Sequence, residues 1–161
     1  MMDVNDLIST SVQLFNKEKY AEAIETLHQA WDAITDKNTQ ITEQSWIQTG
    51  LGHCYFEQAM KAKNTDKAGK LFELAVEHYQ EWLQLAKQLK DKQSSVQLAK
   101  QLTGEQGSVQ QQIDAQFWLG DCYFEHAKKT KDTDKAGKLF EQAATSFEQQ
   151  LQLSEQLENN I

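Results

Sequence analysis

The sequence predicts an all-α protein assembled from repeated helical hairpins, and three observations carry that expectation. The 161 residues include no proline and only 7 glycines, while Ala, Leu, Gln, Glu and Lys dominate, residues that lose little side-chain freedom in a helix. The nine letters "TDKAGKLFE" stand at 65–73 and again at 133–141. Apolar residues also recur at helical spacings, as in Phe72, Ala75, Tyr79, Trp82 and Ala86, which share one helix face.

The copied stretch belongs to a longer duplication. Residues 51–75 align without gaps to 119–143 at a constant offset of 68, and 24 of 39 positions are identical between 51–89 and 119–157. Shared helical composition does not produce such agreement, so the chain contains an internal repeat.

Each copy carries Leu-Gly-x-x-Tyr followed by Ala-x-x-x-Phe-x-x-Ala: Leu51, Gly52, Tyr55, Ala68, Phe72 and Ala75, then Leu119, Gly120, Tyr123, Ala136, Phe140 and Ala143. Small residues let antiparallel helices approach, and aromatic residues fill the space between neighbours. In this order of small and aromatic residues the chain resembles the tetratricopeptide repeat family, a helix-turn-helix repeat. The resemblance implies a right-handed α-solenoid of about three hairpins. A divergent first unit places Tyr20, Ala23, Leu27 and Ala30 at second-helix positions and has Thr10-Ser11 in place of Leu-Gly.

The elements follow in order. Helices are expected at about 3–16 and 19–36 in the first unit and at 41–63 in the second. The next begins near 66, where Asn64, Thr65 or Asp66 supplies N-cap chemistry. Its apolar stripe runs on through Leu89, Val96, Ala99 and Leu102, so it is either one helix over 66–103 or two, broken near "DKQSS" at 91–95. A turn at Gly104–Gly107 then launches a helix over about 108–131, making a long helical pair in the middle, at about 66–131, that extends past the repeat stack. Asp132, Thr133 or Asp134 caps a last helix over 134–158. The spacing from Tyr55 to Ala68, and from Tyr123 to Ala136, is four residues longer than in the tetratricopeptide family, adding about a turn to each first helix. One domain over 1–161 is expected, with units at about 3–37, 41–90 and 109–158 and an extension or connecting segment at 91–108. The uncapped tail "SEQLENNI" suits a chain that continues into a larger regulatory protein.

The formal charge is −8 and all 16 cationic residues are lysines, which argues against nucleic acid, since phosphate recognition relies on clustered cations and the arginine fork. No apolar run has the length of a membrane span, and the N-terminus lacks a basic and apolar leader pattern. A cytoplasmic location is expected, with Cys54 and Cys122 as small core residues rather than a disulfide.

No catalytic set emerges. His28, His53, His78 and His126 fall on different predicted helices without the i, i+4 spacing of a helical zinc site, and "AGKLF" lacks the first glycine and final hydroxyl of a phosphate loop. Gly69 and Gly137 are instead expected to permit close helix packing. No enzyme activity, metal or cofactor is expected.

A binding surface is better supported. In the family it resembles, first helices line a concave face, and the corresponding positions here are Trp46, Thr49, His53, Phe56 and Glu57, then Asp114, Phe117, Asp121, Phe124 and Glu125. Phe56 and Phe124 are equally compatible with the core, whereas Trp46 and Phe117 are expected exposed and Trp31 and Trp82 packed. The replacement of His53 by Asp121 inside otherwise matching copies suggests a surface free to vary. The carboxylate clamp of the best-known peptide-binding tetratricopeptide proteins is missing, so the partner expected is a protein or peptide with a basic or apolar segment, Glu57, Asp121 and Glu125 selecting the cation. The leading function is a non-catalytic scaffold or adaptor; a dedicated cargo chaperone and a helical oligomerisation module, with homo-oligomers, are the alternatives.

Overall fold

Helix-forming residues interrupted only by short polar turns give an all-α chain. A computed structural model describes residues 2–92 and 104–159, with six helices and no strand among them: α1 Val4–Asn16, α2 Tyr20–Ala33, α3 Ile41–Lys61, α4 Thr65–Lys92, α5 Gly104–Lys129 and α6 Thr133–Asn159.

Among the described residues, three of the starts carry a side-chain cap. Asp3 accepts the Asp6 N–H at 2.8 Å and opens α1. Asn64 accepts from the Lys67 N–H at 3.0 Å, and Asp132 from Asp134 and Lys135 at 3.0 and 3.2 Å, so these two residues, out of the three candidates before each helix, are the caps of α4 and α6. Helix α2 stops at Ala33, three residues before the expected end, because Ile34 turns extended. The following loop is held by Gln40, whose side-chain oxygen accepts from the Thr35 and Asp36 N–H groups at 3.2 and 3.1 Å. Helix α5 begins at Gly104 and not at 108; the N–H groups of a first turn need no acceptor within the helix, so the two glycines join it rather than form a separate turn. Whether 66–103 is one helix or two lies outside the described residues.

The chain divides into two compact units, Met1–Tyr79 and Gln80–Ile161, with the boundary inside α4. In the first unit α1, α2 and α3 close over Val4, Leu7, Ala23, Leu27, Ala30, Ile47, Leu51 and Cys54. Full burial of a leucine such as Leu27 or Leu51 contributes about 1.5–3 kcal/mol. Three of the four second-helix residues of the first hairpin, Ala23, Leu27 and Ala30, are buried, and Tyr20 is half-buried. Ser11, standing where the later copies have glycine, is buried, and its hydroxyl donates to the Ile8 carbonyl at 2.6 Å.

The repeat glycine has the same task in both copies. A Cβ at Gly52 would lie 2.4 Å from the Tyr79 ring, and one at Gly120 2.6 Å from the Phe147 ring. In each case a first helix offers bare backbone to an aromatic residue 27 positions later on the second. The expectation for the other glycine pair holds less well. Gly69 is buried, but a Cβ at Gly137 would meet nothing within 4 Å. Gly137 is therefore not a packing glycine; its side of α6 is open.

In the second unit the C-terminal half of α4 packs on α5. Trp82 Nε1 donates to Gln111 Oε1 at 3.2 Å, and the Ser108 hydroxyl donates to the Ala86 carbonyl at 2.5 Å. Trp82 is buried as expected; Trp31, in the first unit, is half-buried with the Lys37 ammonium 3.8 Å above its ring.

Candidate functional site

Helices α1 and α3 run side by side in the first unit and leave a cleft of about 220 Å3 between them. Helix α1 supplies Ile8, Ser11, Val12 and Phe15, α3 supplies Trp46, Thr49, Gly50, His53 and Cys54, and Leu27 of α2 forms part of the lining. Gly50, on the α3 wall, lets the Leu27 side chain of α2 pack close against the backbone. A Cβ at that position would already stand 3.0 Å from Leu27 Cδ1.

Few polar groups of the lining remain open to a ligand. The Thr49 hydroxyl donates to the Ser45 carbonyl at 2.7 Å, and Ser11 bonds its own helix as described. His53 Nδ1 lies 2.6 Å from the Tyr79 hydroxyl, and its ring sits 5.5 Å from that of Tyr79 in an edge-on arrangement. Burial lowers the His53 pKa from 6.5 to about 4, so the imidazole is neutral at physiological pH. Burial pushes the Cys54 thiol up to about 12, which leaves it protonated and a poor nucleophile. With a neutral histidine, a protonated thiol and mainly aliphatic and aromatic walls, the cleft is suited to holding an apolar group. Trp46 at its rim is 60% exposed and Val12 47%.

Of the five positions expected in this copy, Trp46, Thr49 and His53 meet at the cleft. Phe56 does not: it is buried, with its ring 6.0 Å from Phe72 in an edge-on contact, so it belongs to the core and is unavailable to a ligand. Glu57 is half-buried on α3 outside the lining. In the second unit the other five lie along α5. Asp114 is exposed and accepts from Gln110 Nε2 at 3.0 Å. Exposed Phe117 sits 6.5 Å from Phe147 and 5.4 Å from Trp118. Asp121 is half-buried, and desolvation, followed by the charge of Glu125, raises its carboxyl pKa. Glu125 pairs with Lys128 at 3.1 Å, which reduces its capacity to select a cationic ligand. Phe124 is exposed and stands edge-on to Phe140 at 5.7 Å.

His53 and Asp121, which differ between the copies, are both half-buried and face different partners. Where the first copy pairs His53 with Tyr79, the second has Asp121 and Phe147, so the hydroxyl that the imidazole uses is absent there.

The wall contributed by α1 was not singled out from sequence. The signal was present: Ser11 precedes Gly52 by 41, and the same shift carries Thr49, His53 and Phe56 onto Ile8, Val12 and Phe15.

Among the described residues no group of three or more His, Cys, Asp or Glu could hold a metal ion, and no helix is long and apolar enough to cross a membrane. No curated protein and no solved structure matches the chain. Residues 48–79 and 113–146, which span most of α3 with the first half of α4 and then most of α5 with the first half of α6, match the Sel1 repeat. The two copied segments are thus similar to Sel1 repeats, a tetratricopeptide-like helical repeat, rather than to the tetratricopeptide repeat proper.

Proposed function

We propose that the protein is a non-catalytic scaffold that binds another protein or a peptide, and that the cleft between α1 and α3 receives an apolar side chain of that partner. The observation that carries this reading is Trp46, exposed at the rim of a cleft whose other walls are Ile8, Val12, Phe15 and Leu27. Large aromatic residues left in water beside a preformed apolar cavity are the usual anchors of recognition, because burying them on binding costs little ordering of the receptor. The match to Sel1 repeats agrees, since such repeats commonly serve as protein–protein interaction scaffolds.

Selection of a displayed peptide library on the full chain, with counter-selection on a Trp46→Ala/Val12→Glu variant, tests the reading. Enriched peptides are expected to share an apolar or aromatic anchor and to lose at least tenfold in affinity for the variant, about 1.4 kcal/mol. Peptides that bind both proteins equally would place the site elsewhere.

A further inference from the structure

The two copies bury the same residues very differently. Phe56, Phe72 and Leu83 are 7%, 0% and 8% exposed, whereas their counterparts Phe124, Phe140 and Leu151 are 38%, 42% and 60% exposed. Along α6 the exposed positions Gly137, Phe140, Ala144 and Leu151 follow helical spacing and make one apolar stripe about 21 Å long. Gly137 has open space above it, leaving a notch at one end of the stripe, with the Leu151 side chain standing at the other.

One flank of this stripe is charged in a particular way. Asp134, Glu141, Glu148 and Glu155 recur every seven residues, so they form a column on α6 beside Gly137, Ala144 and Leu151. All four are exposed, and none has an ion-pair partner among the described residues. In the first copy the same column reads Asp66, Glu73, Gln80 and Lys87. The apolar stripe is retained almost letter for letter between the copies, while its flank has moved from mixed to wholly acidic.

We propose that the α6 stripe is a docking surface for a basic amphipathic helix of a partner protein, with small and apolar residues seated over Gly137, Phe140, Ala144 and Leu151 and lysines or arginines along the acidic column. Charge complementarity selects this occupant over a second copy of the chain. An antiparallel pair of α6 helices would set Glu141 against Glu148 across the interface and repel. The surface is separate from the α1–α3 cleft and does not depend on it.

The test uses three fluorescent peptides of about 18 residues, long enough as helices to cover the stripe: a Leu/Ala-faced helix flanked by lysines, the same helix flanked by glutamates, and a scrambled lysine peptide of equal charge. Anisotropy titration of the full chain at low salt is expected to show binding of the first alone. Leu151→Glu and Phe140→Ser, and separately Glu141→Lys/Glu148→Lys, should each weaken it at least tenfold, with circular dichroism melting showing that the variants fold, while Trp46→Ala leaves it unchanged. Equal binding of the scrambled peptide, indifference to Leu151→Glu and Phe140→Ser, loss on Trp46→Ala, or a dimer of the free chain that Leu151→Glu dissolves would each overturn the proposal.

Discussion

His53 Nδ1 lies 2.6 Å from the hydroxyl of Tyr79, a fully buried residue on the neighbouring helix. The second copy has neither group, placing Asp121 and Phe147 at the same register. Tyr79→Phe removes one partner and leaves the other in a poorly solvated place, a change that costs about 1–3 kcal/mol. His53→Asp alone leaves a carboxylate there with the tyrosine. The double change His53→Asp/Tyr79→Phe reproduces the second copy and is expected to be less destabilising than the sum of the single ones. Urea unfolding of the four proteins measures that coupling.

The glycines give opposite signs for one substitution. Gly52→Ala and Gly120→Ala drive a methyl into the Tyr79 and Phe147 rings, and such overpacking costs about 1–3 kcal/mol. Gly137→Ala meets nothing and gains up to about 1 kcal/mol of helix propensity. Thermal melts should therefore move down for the first two and up for the third.

Identical phenylalanines should differ in cost as their burial differs. Phe72→Ala opens a cavity in a fully buried place and is expected to lose about 3–5 kcal/mol. Phe140→Ala, at the corresponding position of the other copy, removes a partly solvated ring and should cost well under half as much, as read from the denaturation midpoints.

Acid should destabilise the protein through two histidines. Burial lowers His53 and His78 from 6.5 to about 4; for His78 the charge of His28 adds to the effect, and its Nδ1 donates to Gln48 Oε1 at 2.7 Å. A lowered pKa in the folded state means that the unfolded chain binds more protons between the two values. Stability is then complete above pH 6.5 and declines as the pH falls from 6.5 towards 4, by at most about 1.4 kcal/mol per pH unit for each histidine. Replacing His78 by Gln should flatten the slope of unfolding free energy against pH in that window; an unchanged slope would show that His78 is not one of the groups responsible.

Backbone strain sits at one turn. Glu18, between α1 and α2, has φ 60°, a left-handed conformation that costs an L side chain about 1–2 kcal/mol, while its carboxylate meets the Lys61 ammonium at 2.7 Å in an exposed pair. Glu18→Gly should raise the melting temperature despite losing the pair, and Glu18→Gln, which keeps the strain, should leave it nearly unchanged.

The sequence by itself determined the helical class, five of the six helix starts to within about a residue, the duplicated hairpins and a set of three cap candidates for α4 and for α6, because these depend on local chemistry: residue preference, the polar residues before a helix, and a constant 68-residue offset. The resemblance to tetratricopeptide repeats added Trp46, Thr49 and His53, three positions that line one cleft. The tertiary structure alone decided that α1 forms the facing wall of their cleft, that Phe56 belongs to the core while its twin Phe124 is exposed, and that His53 is bound to Tyr79. Burial is a property of what stands next to a residue, and two identical stretches of chain have different neighbours. The same letters therefore become interior in one copy and surface in the other.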